Sequence, residues 1–378
     1  MSASPNNKIA VFVPTLAFGG VERVMVNLAE GFSEHGYDVD LVAPQIAGEF
    51  YEQISAKVRV VHLKARHVLT SLPRFVVYLG RERPAAVIAA MEHSSVAAIW
   101  GRAIASVSTR VIATVHTNQT EIVKHAPSAK VRLVPLACRL FLHKAHAIVA
   151  VSQGVADDLV SHAPKTRSRL KVIYNPIITE SVLAQAKQPL EHPWFQPGRP
   201  PVVLGTGRMV PQKDFRTLLR AFALVRQQRP ARLLILGEGP ERQRLEALAA
   251  ELGISNDVCL AGFEQNPYKY MSKAAVFVLS SAWEGFGNVL VEALASGAPV
   301  VATDCRDGPR EILMAAGQGR LAPVGDSAAL AKQIVATLDA PRARASAEAL
   351  RVFTREHVVS EYLEILKLSR PVPEPAIK

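Results

Sequence analysis

The feature that most constrains this chain is an alternation, run twice, between short apolar segments and stretches of helical period. In the first half the short segments are Ile9–Pro14, Val39–Ala43, Val58–Leu63, Ala86–Ala90, Val111–His116, Ala147–Val151 and Val172–Tyr174. In the second they are Val202–Gly205, Leu233–Gly237, Val258–Ala261, Val276–Leu279 and Pro299–Thr303. A short run that stays apolar, without polar alternation, reads as a strand covered on both faces. Between such runs Val21, Val24, Met25, Leu28 and Phe32 recur at helical spacing, as a stripe lying on a core. Leu218, Leu219, Phe222 and Val225 after Asp214, and Leu245, Leu248 and Leu252 after Pro240, do the same. Alternating β and α of this kind predicts an α/β fold of parallel sheets with helices on both faces.

The chain has 378 residues, which suits two domains. Asn175-Pro176 followed by Pro189, Pro193, Pro197, Pro200 and Pro201 marks a linker and loop. The expected division is 1–178, 179–355, and a C-terminal helix and tail over 356–378 that packs back on the first domain. Pro371, Pro373 and Pro375 predict a frayed end. No apolar run approaches the ~18–20 residues needed to cross a bilayer. The run Ile9 to Phe18 contains Pro14 and leads into a helix, so it reads as a first strand, not a secretion signal. Cys138, Cys259 and Cys305 are widely separated, which fits a reducing, cytoplasmic setting.

The net charge is +11, and it is local: 14 of the 44 Lys and Arg, but only 3 of the 33 Asp and Glu, fall between Lys57 and Ala147. A field of one sign in one region suggests an anionic partner. That region carries no nucleic-acid motif or interleaved aromatics, so nucleic acid is not expected. Its stretch Lys130–Ala147 reads as a basic amphipathic helix, with Val131, Val134, Leu140 and Phe141 apolar, Lys130, Arg132, Arg139 and Lys144 charged, and Pro135 a kink. It is either a half-buried helix with a solvated basic face or a surface for anionic lipid.

In open α/β sheets ligands bind beyond the carboxyl ends of strands, so the segments after each strand matter most. The first strand is followed by Gly19-Gly20-Val21-Glu22-Arg23, either an ordinary tight turn or a place where backbone meets an anion. Val202–Gly205 leads into Gly207-Arg208, with Lys213-Asp214 five residues on. The two cations are either solvated or set for a diphosphate, and Asp214 suits a helix N-cap. Val276–Leu279 leads into Glu284-Gly285-Phe286-Gly287-Asn288-Val289, with Glu292 one turn into the next helix. The new helix presents N–H groups to phosphate, and Glu292 can accept both hydroxyls of a ribose. His116 at a strand end is either structural or directed at a ligand.

Taken in order, Gly19-Gly20-x-Glu22-Arg23, Gly207-Arg208 with Lys213, Leu236-Gly237-Glu238-Gly239-Pro240 and Glu284-x7-Glu292 resemble the retaining glycosyltransferase family four. Ser296-Gly297-x-Pro299 and Gly308-Pro309-Arg310-Glu311 fit the same pattern, and the resemblance spans nearly the whole chain. It implies a GT-B architecture: two Rossmann-like domains with parallel sheets, facing each other across a cleft. It implies an enzyme that takes a nucleotide-diphosphate sugar, UDP-linked by preference over GDP-linked, and transfers the sugar with retention to a lipid-linked or glycan acceptor. Arg208 and Lys213 would then hold the diphosphate, with the backbone of Gly287, Asn288 and Val289 and with Gly207. Glu292 would bind the ribose, Glu284 the donor sugar, Gly19 and Gly20 the phosphates, and His116 the transferred sugar. Phe263 would frame the base, and Phe286 belongs to the same donor loop. No Asp-x-Asp metal clamp is expected anywhere along the chain, and so no metal or other cofactor. The basic region 57–147 would place the protein peripherally on the inner face of an anionic membrane. The rival readings are a sugar-nucleotide epimerase of the same architecture and a non-enzymatic anion-binding protein.

Overall fold

The structure is a computed structural model that describes residues 7–17, 19–46, 54–125 and 132–368. Phe18, Lys130, Val131, part of the basic region and the tail 371–378 lie outside the described residues. The chain folds as two units. One comprises the residues up to Pro176 with those from Arg355 onward, the other Ile177–Thr354.

Unit 1 holds seven strands: β1 (Lys8–Phe12), β2 (Asp38–Ala43), β3 (Val58–His62), β4 (Ala86–Ala90), β5 (Arg110–Val115), β6 (Ala147–Ala150) and β7 (Leu170–Val172). They form one parallel sheet in the order β3-β2-β1-β4-β5-β6-β7. β4 is buried along its whole length, as the unbroken apolar run Ala-Val-Ile-Ala-Ala requires. The helices are α1 (Gly20–Glu34), α2 (Val68–Glu82), α3 (Met91–Ala105), α4 (Gln119–Lys124), α5 (Val134–Phe141) and α6 (Gln153–His162). Phe12 of β1 stacks on Phe75 of α2 with ring centroids 4.3 Å apart, which fixes that helix on the sheet. Because β1 continues to β2 on one side while β4 lies on the other, their carboxyl ends flank the topological switch point.

One expectation for unit 1 needs correction. In place of one helix over Lys130–Ala147, the described part holds α5, a 3-10 turn over Leu142–Lys144, and β6 from Ala147. Pro135 lies in the first turn of α5, where its missing N–H has no partner to lose, so it starts the helix and does not kink it. Within the basic region three arginines have internal partners. Arg59 is bidentate to buried Asp40 at 2.7 and 2.6 Å, Arg74 donates to the carbonyls of Leu63 and Lys64, and Arg110 donates to those of Leu366 and Lys367.

Unit 2 holds β8 (Val202–Thr206), β9 (Arg232–Leu236), β10 (Val258–Gly262), β11 (Val276–Leu279), β12 (Val300–Thr303) and β13 (Arg320–Ala322), parallel, in the order β10-β9-β8-β11-β12-β13. β13 has three residues and begins on exposed Arg320, so no apolar run announced it. The helices are α7 (Glu180–Ala186), α8 (Phe215–Gln228), α9 (Arg242–Glu251), α10 (Tyr268–Lys273), α11 (Asn288–Ala295), α12 (Pro309–Ala316), α13 (Ser327–Asp339) and α14 (Ala347–Leu350). The prolines from Pro189 to Pro201 belong inside this unit, in the run from α7 to β8. The switch point here lies between β8 and β11.

The last helix, α15 (Arg355–Leu366), belongs to unit 1. Arg355 pairs with Glu30 and Glu34 of α1 at 3.0 and 2.5 Å, and Tyr362 meets Phe32 edge-on at 6.3 Å. A Cβ on Gly31 would stand 2.5 Å from Val359 Cγ2, so α1 and α15 approach closely there.

Candidate functional site

The loops beyond β8 and β11 meet at the switch point of unit 2. Gly207 follows β8, at φ 152°, and the chain turns through Arg208, Met209 and Val210 into a 3-10 turn over Pro211–Lys213. Asp214 then takes a left-handed backbone, φ 43°, and caps α8 by accepting from Thr217 N at 3.2 Å, the N-cap role the sequence suggested. This geometry carries Lys213 back over the sheet edge. Its Nζ donates to Glu284 Oε1 at 2.5 Å, and Ser281 Oγ donates to the same oxygen at 2.6 Å. Glu284 is 7% exposed, so the carboxylate is buried and the ammonium is its compensating charge.

The two loops are stitched together along their length. Ala282 N donates to Gln212 O at 2.8 Å, Gln212 Nε2 to Trp283 O at 3.0 Å, and Ser280 Oγ to Lys213 O at 2.8 Å. Arg208 is exposed and makes no ion pair among the described residues. One cation is therefore held rigidly and the other stands open to solvent. Thr206 Oγ1, at the end of β8, is buried without a hydrogen-bond partner among the described residues.

α11 begins at Asn288 with Gly287 as its N-cap, at φ 97°, a conformation that favours glycine. Its first N–H groups accordingly open on the loop that carries Glu284. The turn is locked from behind: a Cβ on Gly308 would fall 1.8 Å from Phe286 O. Glu292 lies one turn into the helix and is 8% exposed. The Phe286 ring is buried and tilts against Phe353 at 5.9 Å, so it leaves only its backbone to a ligand at this loop. Val289 and Asn288 are half-buried at the helix start. Phe263, just past β10, is 61% exposed, an aromatic face at the carboxyl edge of the sheet.

Sequence reasoning missed what Ser281 and Gln212 do, which is to hold Glu284 and to tie the two loops together. Gly237 and Gly239, quoted in the motif over 236–240 without a role, let the next turn approach. A Cβ at Gly237 would stand 2.0 Å from Gly207 O, and one at Gly239 would stand 2.4 Å from Met209 O. The Gly-x-Gly spacing was the available signal for the last pair. Nothing in the sequence marks Ser281.

In unit 1, Gly19 is the N-cap of α1 in an extended conformation. A Cβ there would stand 2.2 Å from Glu22 Oε2, so what glycine provides is room for that carboxylate over the helix start. Gly20 is the first residue of the helix. His116, just past β5, is buried; its Nε2 lies 2.8 Å from Thr114 Oγ1, and its Nδ1 has no partner among the described residues. Burial pulls its pKa down to about 4, which leaves a neutral imidazole at working pH. Glu92, just past β4, is buried as well, and burial pushes its carboxyl up to about 7. It carried no sequence signal.

The expectation of no Asp-x-Asp needs correction: Asp38-Val39-Asp40 is one, at the start of β2, at the opposite end of the strand from these loops. Asp40 accepts from Arg59 and from Tyr78 Oη at 2.7 Å, and Lys8 stands 3.2 Å from Asp38. Its carboxylates serve an internal ion network. No helix of the described residues is long and apolar enough to cross a membrane.

Comparison with known proteins agrees with this arrangement. Residues 18–181 match the family model of Glycosyltransferase Family 4, and residues 188–351 match Glycosyl transferases group 1. A lipopolysaccharide core biosynthesis glycosyltransferase of Rhizobium meliloti, LpsE, is 29% identical over 92% of this chain and 96% of its own. A Campylobacter jejuni enzyme, N-acetylgalactosamine-N,N'-diacetylbacillosaminyl-diphospho-undecaprenol 4-alpha-N-acetylgalactosaminyltransferase, is 36% identical over 46% of this chain and 45% of its own. With the first curated relatives the chain thus shares about half their length, 49% and 45%. Among solved structures, Anabaena HepE in complex with UDP and glucose superposes with a TM-score of 0.76 at 22% identity, over 95% of this chain and 99% of that one. That likeness is one of fold.

Proposed function

The chain belongs to the glycosyltransferases of group 1 and family 4, and we propose that it moves a sugar, with retention, from a UDP-sugar to a lipid-linked or glycan acceptor in surface-polysaccharide or lipopolysaccharide assembly. The observation that carries this reading is the Lys213–Glu284 pair at the switch point of unit 2, beside the start of α11 and exposed Arg208. The names of the relatives supply the substrate classes: a diphospho-undecaprenol acceptor for the Campylobacter enzyme, a lipopolysaccharide core for LpsE, UDP and glucose in HepE.

The chemistry follows from charge. As the anomeric C1–O bond breaks, negative charge collects on the departing diphosphate and positive charge on C1. Lys213, Arg208 and the N–H groups at the start of α11 are fixed donors for that negative charge, which is electrostatic catalysis. Glu284 keeps Lys213 in place and presents its second oxygen to the donor sugar. Glu292 accepts the ribose hydroxyls, and Phe263 offers its ring to the base. The acceptor oxygen bonds to C1 on the face the diphosphate leaves, and its proton passes to a departing phosphate oxygen. Neutral His116 hydrogen-bonds a sugar hydroxyl and does not shuttle a proton. Two cations and a helix N-terminus make this a metal-independent clamp.

Attachment to an anionic membrane rests on unit 1. Leu133, Leu136 and Leu140 are 61%, 53% and 51% exposed beside exposed Arg132, Arg139 and Lys144. α3 packs against both α2 and α5, and α2 and α3 add exposed Leu69, Val77 and Ile104. Apolar side chains ringed by cations suit the interface of an anionic bilayer. The test of the whole reading is incubation with labelled UDP- and GDP-sugars, an undecaprenyl-diphosphate sugar and deacylated lipopolysaccharide core. UDP release with acceptor-dependent transfer and a retained anomeric configuration is expected. An inverted product, or no release from any donor, contradicts it.

A further inference from the structure

The carboxyl end of β4 carries a group that the donor chemistry leaves unused. β4 runs into α3 without an intervening residue: Ala90 ends the strand and Met91 begins the helix. Met91 makes that turn at φ 67°, a left-handed backbone that a non-glycine residue holds only when its surroundings impose it. The next side chain, Glu92, is 2% exposed. Its Oε1 accepts from Gln119 Nε2 at 2.6 Å and from Thr117 Oγ1 at 3.4 Å. Gln119 is wholly buried, and its own N–H donates to Asp158 Oδ2 at 2.6 Å. Backbone and side chain of Gln119 are thus held by two carboxylates from two different helices.

What remains open is Gln119 Oε1, which has no partner among the described residues, and His116 Nδ1, which has none either. Buried polar atoms are paired as a rule, and an orphan calls for a ligand or another cause. β4 and β5 pair Ala90 with Thr114, so Glu92 and His116 each stand two residues beyond the same rung. β4 is one of the two strands that flank the switch point of unit 1.

Resting on the glycosyltransferase reading above, we propose that Glu92 is a positioning residue: it holds the Gln119 amide so that Gln119 Oε1, beside His116, receives a saccharide hydroxyl. The carboxylate accepts from Nε2, and that fixes which end of the amide faces the substrate. When Glu92 takes up a proton, its O–H donates to Oε1, the amide turns, and the acceptor is withdrawn. Burial pushes the Glu92 carboxyl up to about 7, with the like charge of Asp158 from α6 adding to it and the bonds from Thr117 and Gln119 opposing. The other groups around it are His93 on the same helix and His116, both lowered by burial, and the Cys138 thiol of α5, raised by burial. Substrate affinity should therefore be highest above pH 7 and fall as pH drops through it.

The experiment uses the full chain, UDP-glucose and UDP-galactose as donors, and undecaprenyl-diphosphate N-acetylgalactosamine and deacylated lipopolysaccharide core as acceptors, from pH 6 to 8.5. In the wild type the KM of one saccharide substrate should rise roughly three- to tenfold as pH falls through 7, the size of one lost hydrogen bond, with kcat steady within twofold. Glu92→Gln should make that KM flat across the range. Gln119→Leu should raise it to the low-pH value at every pH and leave the Kd of UDP unchanged. A rise confined to the acceptor KM assigns the hydroxyl to the acceptor; a rise in donor KM with UDP affinity unchanged assigns it to the transferred sugar. Either supports the proposal. A wild-type pH profile in Glu92→Gln, or an unchanged KM in Gln119→Leu, overturns it, and Gln119→Leu decides alone if Glu92→Gln does not fold. A wild type that binds UDP but transfers nothing ends the transferase reading and this proposal with it; an active wild type with unaltered variants ends this proposal alone.

Discussion

The two sheets end in the same topological device and equip it in opposite ways. At the β8/β11 switch point the functional groups keep their charge. Lys213 is paired with Glu284, Arg208 stands in solvent, and glycines let the backbone turns approach one another closely. At the β1/β4 switch point and the neighbouring end of β5, burial works against charge. His116 is lowered to about 4 and Glu92 raised to about 7, and the open atoms there are neutral hydrogen-bonding groups. A diphosphate needs fixed charge, whereas a hydroxyl needs oriented, uncharged donors and acceptors. On the proposed reading one fold serves both, because the differing groups lie in the first residues after each strand and not in the sheet.

The widest break in this comparison should come from the paired cation. Lys213→Ala removes a charge-assisted donor and leaves the buried Glu284 carboxylate uncompensated. Each such bond is worth roughly 1.5–3 kcal/mol, and ~1.4 kcal/mol is tenfold in rate. A hundredfold or larger loss in kcat/KM is expected. Arg208→Ala has no buried partner to strand, so a loss nearer tenfold with normal thermal stability is expected. Steady-state kinetics and melting curves of both variants read this out, and near-normal turnover in Lys213→Ala would remove the clamp.

This asymmetry also explains what the sequence could and could not reveal. The loops proposed to hold a diphosphate could be located because charge, glycine and strand ends are all written in sequence: Gly207-Arg208, Lys213 and Gly287-Asn288 were read from spacing and motif, and they lie just beyond the end of β8 and at the start of α11. All twelve strands read from apolar runs lie within about two residues of their observed ends. β13 was missed because three residues opening on an exposed Arg carry no apolar signal. Glu92 was invisible for a deeper reason. A Glu in the first turn of a helix is ordinary, and only the fold shows that it is buried, that Gln119 faces it and that the amide has an unused end. The helix over Lys130–Ala147 failed in its described part because amphipathic spacing does not register that the helix stops at Phe141 and tightens into a 3-10 turn before β6.

Unit 1's remaining charge provides the next test. The cations not consumed internally should act together at a membrane. Changing Arg132, Arg139 and Lys144 to Gln removes three charges at about 1 kcal/mol each near an anionic surface, less what salt screens. Partition into phosphatidylglycerol vesicles should fall roughly ten- to hundredfold at low salt, by sedimentation. Changing Leu133, Leu136 and Leu140 to Ser should weaken binding at every salt concentration. Equal binding to neutral vesicles would return the acceptor to a soluble glycan.

The charge suppression at His116 and Glu92 should be visible in stability, with opposite signs. Glu92 has a folded pKa above its unfolded one, so its contribution is full below about 4.5 and is lost as pH rises through about 7. His116 has a folded pKa below its unfolded one, so its contribution is full above about 6.5 and is lost as pH falls through about 4. At one pKa unit per 1.36 kcal/mol, the shift of each group corresponds to about 3 kcal/mol across its window. Glu92→Gln should therefore gain stability relative to wild type between pH 5 and 8, and His116→Asn should gain it between pH 6.5 and 4. Denaturant midpoints at fixed pH measure both. Parallel curves for variant and wild type would mean that burial does not govern these groups.

The smallest expected effect is none at all, and it bears on the same contrast. If the charge that develops on the diphosphate is met by Lys213, Arg208 and the start of α11, a divalent ion has no deficit left to fill. The carboxylates that might otherwise recruit one are committed elsewhere: Glu284 to Lys213 and Ser281, Asp40 to Arg59 and Tyr78, Asp158 to Gln119 and Thr120. Initial rates should therefore be unchanged within error after dialysis against EDTA and on return of Mg²⁺ or Mn²⁺. The discriminating measurement is the same pair of rates in Lys213→Ala. A cation lost from the clamp leaves negative charge exposed, so Mg²⁺ should restore a few-fold of activity to the variant while doing nothing for the wild type. Loss of wild-type activity in EDTA with rescue by metal would mean that the two cations hold the donor but do not carry the charge of the leaving group.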